Sequence, residues 1–316
     1  MPASENVRNF ASASLFAVVI LILSAPFAFA ADPGTNGRIA FVADFSGSRQ
    51  LYTVNADGTD LIQLTNFPGG TSDLTWLIDY SPDGKQIVFS HDMTGPVELY
   101  VINADGTNLR QITHAGGLAA GPRWSPDGKH IVFSKGVALS PDFPDVGGLV
   151  VTTIKSDGTG KERLLTSRVW ESLGADYTAD GKHIVFSSQM GGLVSALWIM
   201  DVNGSHKRRL TEPELQAGRA DVSPDGTQVV FYTNQDTPQP TSIFKMNIDG
   251  SGVTRLTSSG HMDTLPVFSP DGTKILYMSD RLSPSFDTFV MNADGSHKKR
   301  IIVGGLGPNW GSQPEP

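Results

Sequence analysis

The chain has 316 residues, with 24 Lys and Arg against 32 Asp and Glu, a formal net charge of −8, 39% hydrophobic residues and no cysteine. The missing cysteine excludes disulfide staples, thiolate zinc sites, iron–sulfur clusters, cysteine nucleophiles and a lipid anchor on a processed cysteine. The acidic balance excludes the basic stripe of a dedicated nucleic-acid binder. An apolar fraction of this size can fill a core, while 34 glycines and 20 prolines predict a turn-dense, all-β chain.

In chain order, residues 1–30 come first as an address. A short polar start carries Arg8, an apolar run follows over Leu15–Leu23, and Ala28-Phe29-Ala30 precedes Ala31-Asp32. The run is too short to span a bilayer comfortably and fits a cleavable signal peptide, with cleavage after Ala30. No later segment approaches about 18 consecutive apolar residues, so no membrane span is expected in the mature chain. The expectation is a periplasmic or secreted protein, with 31–36 a short lead and 313–316 a tail.

Between them, over 37–312, two turn motifs alternate. Ser81-Pro82-Asp83-Gly84 recurs at Ser125–Gly128, Ser223–Gly226 and Ser269–Gly272, and is weakened to Thr178-Ala179-Asp180-Gly181. Its glycines lie 44, 53, 45 and 46 residues apart. Asn55-Ala56-Asp57-Gly58 is echoed with glycines at 106, 158, 204, 250 and 295. Proline at the second and glycine at the fourth position of Ser-Pro-Asp-Gly specify a type I turn. A β-branched strand such as Ile87-Val88-Phe89-Ser90 follows each such turn. A third strand such as Leu99-Tyr100-Val101-Ile102 leads to the Asp-Gly turn, and a short semi-polar strand such as Leu109–Thr113 closes the copy. Four strands in about 46 residues, six times over, predict a six-bladed β-propeller. The first copy starts at Gly37-Arg38-Ile39-Ala40-Phe41 without its inner strand, whereas Pro308-Asn309-Trp310 matches Pro122-Arg123-Trp124 with no copy after it. The terminal strands should therefore pair in one blade and close the ring.

The pattern Pro-x-Trp-Ser-Pro-Asp-Gly-Lys-x-Ile-Val-Phe-Ser, followed by Leu-Tyr-x-x-Asn-Ala-Asp-Gly-x-x-x-x-Arg-x-Thr, resembles the WD-like repeat of the TolB family over residues 37–312. The resemblance implies a propeller that binds a protein of the cell envelope. Founding members of the family carry an α/β domain ahead of the propeller, and Ala31–Asn36 leaves no room for one here. The resemblance therefore implies a stand-alone TolB-like propeller.

Candidate sites follow from where the repeat places residues. The position just before the last aromatic or aliphatic of each inner strand is Asp79, Arg123, Asp176, Asp221, Val267 and Asn309. Three acids and an arginine at equivalent places in a ring must meet near the axis, as a cation or polar-ligand floor or as hydrogen-bonded links between blades, with Arg123 neutralising an Asp. His114, His261 and Asp263 fall in loops entering the next inner strand, and His91-Asp92 in a loop between the second and third strands. These could form an acid–base or metal site. Loops Lys135–Gly148, Thr233–Thr241 and Ser279–Asp287 are long and proline-bearing, and form a candidate binding rim. The turn aspartates read as turn formers. His130, His183, His206 and His297 read as surface decoration, and the Lys/Arg runs at 207–209 and 298–300 as edge protection. No nucleophile elbow, His-Glu-x-x-His, phosphate loop or dinucleotide fingerprint is present, and no catalytic residue, metal or cofactor is assigned. The expected function is a monomeric binding module for an envelope protein, a peptide or a glycan. The alternative is a carbohydrate-active lyase or hydrolase with acids and histidines at one channel mouth.

Overall fold

The architecture starts from its turns. In each Ser-Pro-Asp-Gly copy the glycine N–H returns to the serine carbonyl, as Gly84 does to Ser81 at 2.8 Å. The serine hydroxyl donates to the aspartate, Ser81 Oγ to Asp83 Oδ1 at 2.6 Å, and accepts from Gln86 N at 2.9 Å. The same network forms at Ser125, Thr178, Ser223 and Ser269. In the second motif Asp57 accepts from Thr59 N, a pattern repeated at Asp105, Asp157, Asp249 and Asp294. These hydrogen bonds hold the five carboxyls below the usual carboxylate range. The turn aspartates are thus occupied in folding the chain.

The computed structural model describes residues 34–313 apart from 46, 69–76, 94, 115, 141–142, 193, 235–240, 259 and 284, with the backbone at 139–140 and 143–146. The signal-peptide assignment for 1–30, residues 314–316 and most of the loop Thr233–Thr241 lie outside the described residues. Six four-stranded antiparallel sheets form, each with the order inner strand to outer strand. Blade one combines Leu306–Ser312, as its inner strand, with Asn36–Ala43, Gln50–Val54 and Ile62–Gln63. The inner strands of blades two to six are Ile78–Tyr80, Ala119–Trp124, Ser172–Tyr177, Ala217–Val222 and Asp263–Phe268. The terminal strands pair through Asn36 with Ser312 and Ile39 with Trp310, so the ring is closed as the sequence predicts. The single helical turn among the described residues is a 3-10 segment at Pro213–Leu215.

The core is distributed as six seams, each between two neighbouring blades. Ala40, Val42 and Leu51 of blade one pack on Ile78, Ile87 and Phe89 of blade two, and equivalent clusters fill the other five seams. One fully buried aromatic per blade stands at the same place in the second strand: Phe41, Phe89, Phe133, Phe186, Phe231 and Tyr277. Strands covered on both sides need apolar residues on both faces, which explains unbroken runs such as Ile87-Val88-Phe89. The glycine of the second turn serves a seam too. At Gly250 a Cβ would meet the Leu210 carbonyl oxygen of the preceding blade at 2.5 Å, and φ is +94°. Both the contact and the left-handed backbone require glycine there. The motif's closing threonine ties the outer edge down, as Leu99 N donates to Thr113 Oγ1 at 2.8 Å and Leu197 N to Thr211 Oγ1 at 2.9 Å.

Blade three departs from the predicted pattern. Lys135–Gly148, read as a loop, continues the strands His130–Ser140 and Phe143–Lys155 as a hairpin arm, against six residues in the corresponding strands of blade four. Its register runs from Lys155 opposite His130 to Gly147 opposite Ala138, and its far end pairs Phe143 with Ser140.

Candidate functional site

Alternate links of a propeller emerge on opposite faces. The Ser-Pro-Asp-Gly and Asp-Gly turns occupy one face. The loops between second and third strands and those between blades occupy the other, the loop face. The axial ring of Asp79, Arg123, Asp176, Asp221 and Asn309 lies at the turn-face end of the inner strands. It floors a funnel of 660 Å³ walled by Pro82, Pro126, Pro224 and Pro270 of the turns.

The structure brings these five residues together as links between blades. Asp79 Oδ2 accepts from Trp124 N at 2.8 Å, Asp176 Oδ2 from Val222 N at 2.9 Å and Asp221 Oδ2 from Phe268 N at 2.7 Å. Asn309 Oδ1 accepts from Tyr80 N at 3.1 Å. In each case a side chain of one blade caps the inner strand of the next. Arg123 and Val267 cannot accept, so two seams lack this link. Arg123 instead spans the axis, with Nη1 3.0 Å from Asp79 Oδ1 and Nη2 3.1 Å from Asp221 Oδ1. Its Nη2 has the distance of an ion pair but lacks hydrogen-bond alignment.

Burial dominates the electrostatics. It pushes up the carboxyls of Asp79 and Asp176, with Arg123 opposing, and raises Asp221 to about 7. Burial also works against the Arg123 charge, but Asp221 and Asp79 outweigh it and hold its pKa above the usual value. Sequence reasoning missed Arg219, which stands two residues before Asp221 at the register shift between Gly218 and Ala220 of the same strand. Its charge acts on Asp79, Asp176 and Asp221. Arg219 is 7% exposed, its Nε and Nη1 have no partner, and burial together with Arg123 brings it down to about 9. Asking which residue stands two places before each ring position would have found it.

Asp221 carries a pH prediction. The folded state holds its proton up to about pH 7, whereas the unfolded chain releases it near the ordinary value of about 3.9. The folded state therefore binds more protons across that window, and stability falls as pH rises through it, by at most about 1.4 kcal/mol per pH unit for one group. Asp221→Asn should flatten this slope. Urea midpoints of both chains from pH 4 to 8 measure it, and parallel curves would refute it.

His114, His261 and Asp263 are placed at the other end of the inner strands. Asp263 is four residues from Val267 on one strand, about 13 Å at the rise of extended chain. Asp263 is fully buried, and Arg281 Nη2 donates to both of its oxygens at 2.9 and 2.8 Å. His114 Nδ1 lies 3.1 Å from Gln111 Nε2, and His261 Nδ1 lies 3.7 Å from Asp280 Oδ1. The two histidines sit on the loops after blades two and five, on opposite sides of the ring. His91 is the buried last residue of Gln86–His91, edge-on to Phe67 at 4.3 Å, rather than a loop residue. The axial acids Asp79, Asp176 and Asp221 and these histidines therefore lie at opposite ends of the inner strands. Among the described residues no group of three His, Asp or Glu has an arrangement that could hold a metal, and no helix is long and apolar enough to cross a membrane.

The loop face carries a different feature. Phe45, Leu118, Val169, Trp170, Val194 and Leu282 are all exposed there, Val169 at 69% and Leu282 at 61%. They stand on loops from five of the six blades or from the joints between them.

Against known proteins, the family model described as TolB beta propeller domain matches residues 22–212. Among solved structures, TolB from Acinetobacter baumannii superposes with a TM-score of 0.72 at 22% identity, over 88% of this chain and 67% of that one. A provisionally named TolB from Agrobacterium tumefaciens gives 0.65 at 24% identity, over 85% and 91%. An oligogalacturonate lyase in complex with manganese gives 0.53 at 15% identity, over 85% and 74%. At these identities the likenesses are of fold.

Proposed function

Since the chain belongs to the TolB β-propeller family, we propose that it is an exported binding module of the cell envelope that takes a protein partner on its loop face. The observation that supports this reading is the set of exposed apolar side chains distributed around that face. Exposed aromatic and aliphatic groups gathered on one face are what a docking partner can bury. The turns of the opposite face have their aspartates already bound, and the exposed apolar residues Leu61, Leu109, Val202 and Val253 stand in or just after its Asp-Gly-type turns, which lead into the outermost strands. The axial ring acts in this reading as the internal fastening that holds six blades in one orientation, so that loops from five of them present a common surface.

The test is crosslinking in cells of the tagged mature chain, capture under denaturing conditions and identification of what comes with it. One dominant envelope protein is expected, lost in a Trp170→Asp/Leu282→Asp double variant that keeps the wild-type melting temperature. A partner retained at full yield by that variant, or no specific protein at all, would overturn the assignment of the face.

A further inference from the structure

Two residues before each position of the axial ring, the inner strands carry Leu77, Gly121, Gly174, Arg219, Leu265 and Gly307. The chain runs along each inner strand from the loop face toward the turns, so this second tier lies on the loop-face side of the ring. Neighbouring blades cover an inner strand on both faces, and its own second strand covers one edge. The solvent that reaches the half-buried Leu77, Gly174 and Leu265 is therefore that of the axial channel.

Three of the six tier positions are glycine, so side chains leave much of the axial space at this level unfilled. Arg219 enters from blade five. A Cβ at Gly174 of blade four would meet Arg219 Cα at 3.2 Å and Cγ at 3.5 Å, so the stem of Arg219 lies along the neighbouring blade where a larger residue would crowd it. The funnel on the turn side ends at the ring, and Arg219 is not one of its walls.

What the axis lacks is an acceptor. Arg219 Nε, Arg219 Nη1 and Arg123 Nη2 are buried without a hydrogen-bond partner among the described residues. All three are donors, whereas no carboxylate oxygen of Asp79, Asp176 or Asp221 is both buried and unpaired. A buried charge without hydrogen bonds is unfavourable, and the two guanidinium groups repel each other, which helps to lower Arg219. A cation would leave the three donors as they are. Water offers an acceptor without a charge. A carboxylate offers both, as two oxygens in the plane that a guanidinium recognises and one negative charge.

We infer that this tier is a binding site for a small monocarboxylate, held by the guanidinium of Arg219 beside that of Arg123. The ligand has few carbons, because Arg219 is only 7% exposed and Leu77 and Leu265 stand in the same tier. The titratable groups around it are Asp79, Arg123, Asp176 and Asp221 of the ring and Tyr232, whose phenol lies against Gly218. Blades six and one contribute Val267 and Asn309, which do not titrate. A bound carboxylate makes the three acids harder to ionise, so binding takes up protons and strengthens as pH falls.

The experiment titrates the mature chain with acetate and, as a neutral probe of the same shape, acetamide, at constant ionic strength with chloride. Heteronuclear NMR follows the Arg219 Nε–H signal, and calorimetry follows the melting temperature. Acetate should shift the signal saturably, with a Kd between ~0.1 and ~10 mM, at least threefold tighter at pH 6 than at pH 8, and should raise the melting temperature. Acetamide should do neither. Arg219→Met should keep its fold and lose the thermal response to acetate. A shift that stays linear to ~50 mM, equal responses to acetate and acetamide, or an undiminished response in Arg219→Met would overturn the site. So would tighter binding at pH 8 than at pH 6. If Arg219→Met does not fold, the comparison of acetate with acetamide on the wild-type chain decides alone. None of these outcomes depends on partner capture, so the loop-face reading stands or falls separately.

Discussion

Arg123→Met is expected to destabilise the propeller by about 3–5 kcal/mol at pH 8, the usual cost of removing one partner from a buried ion pair. Arg123 lies between Asp79 and Asp221 at 3.0 and 3.1 Å, and its loss leaves both carboxylates buried without a directly paired cation, with the more distant charge of Arg219 the remaining opposing one. Their pKa values are already raised by burial, so in the variant they take up protons as pH falls, and the deficit should shrink markedly by pH 5. Arg219→Met supplies the contrast. Arg219 is as buried, but its Nε and Nη1 have no partner, so replacing it by an apolar chain should stay within ~1 kcal/mol of neutral. Urea unfolding of the two variants at pH 5 and 8 decides the matter. A small, pH-independent deficit for Arg123→Met would show that the ring does not depend on this pair.

The second large effect concerns closure. A chain ending at Gly305 loses the strand Leu306–Ser312, and with it the buried Trp310, the Asn309 link to Tyr80 and the pairing with Asn36–Ala43. Both seams of blade one open at once, and such a chain is expected to show no cooperative unfolding transition. A circular permutant that joins Gln313 to Gly34 by a short linker, and opens between Ser258 and Gly260, keeps every strand. It should fold with a modestly lower melting temperature. The junction needs little chain, because a Cβ at Gly34 would lie 2.8 Å from Ser312 Oγ. Calorimetry on both tests the claim, and a cooperative melt of the truncated chain would refute it.

The blades were legible because each turn announces itself: serine, proline, aspartate and glycine have separate jobs in one network, so their spacing maps directly onto strands. The axial ring was legible from equivalence between copies, since a symmetric fold places like positions around one axis. The arm was not. Gly136, Gly147 and Gly148 beside Pro141 and Pro144 have the composition of a loop, and only the tertiary register shows that Gly147 is small because another strand crosses it. His91 escaped for a related reason, since its strand continues one residue further through pairing with Glu98. Arg219 went unnoticed because the comparison stopped at one position per strand. The distance between His114 and His261 depends on counting blades around a circle, which proximity in any single repeat does not reveal.

The pairing that closes the ring also decides how the molecule yields to force. The chain enters blade one at Asn36 and leaves it at Ser312, directly opposite each other on adjacent strands. A pull applied between the two ends therefore loads that ladder at its edge, and its bonds break in succession instead of sharing the load. The remaining five sheets lie off the line of tension until Leu306–Ser312 has peeled away. A propeller that resists heat through six cooperative seams is thus soft along one axis, and a tether at both ends would open it from the blade where it was shut.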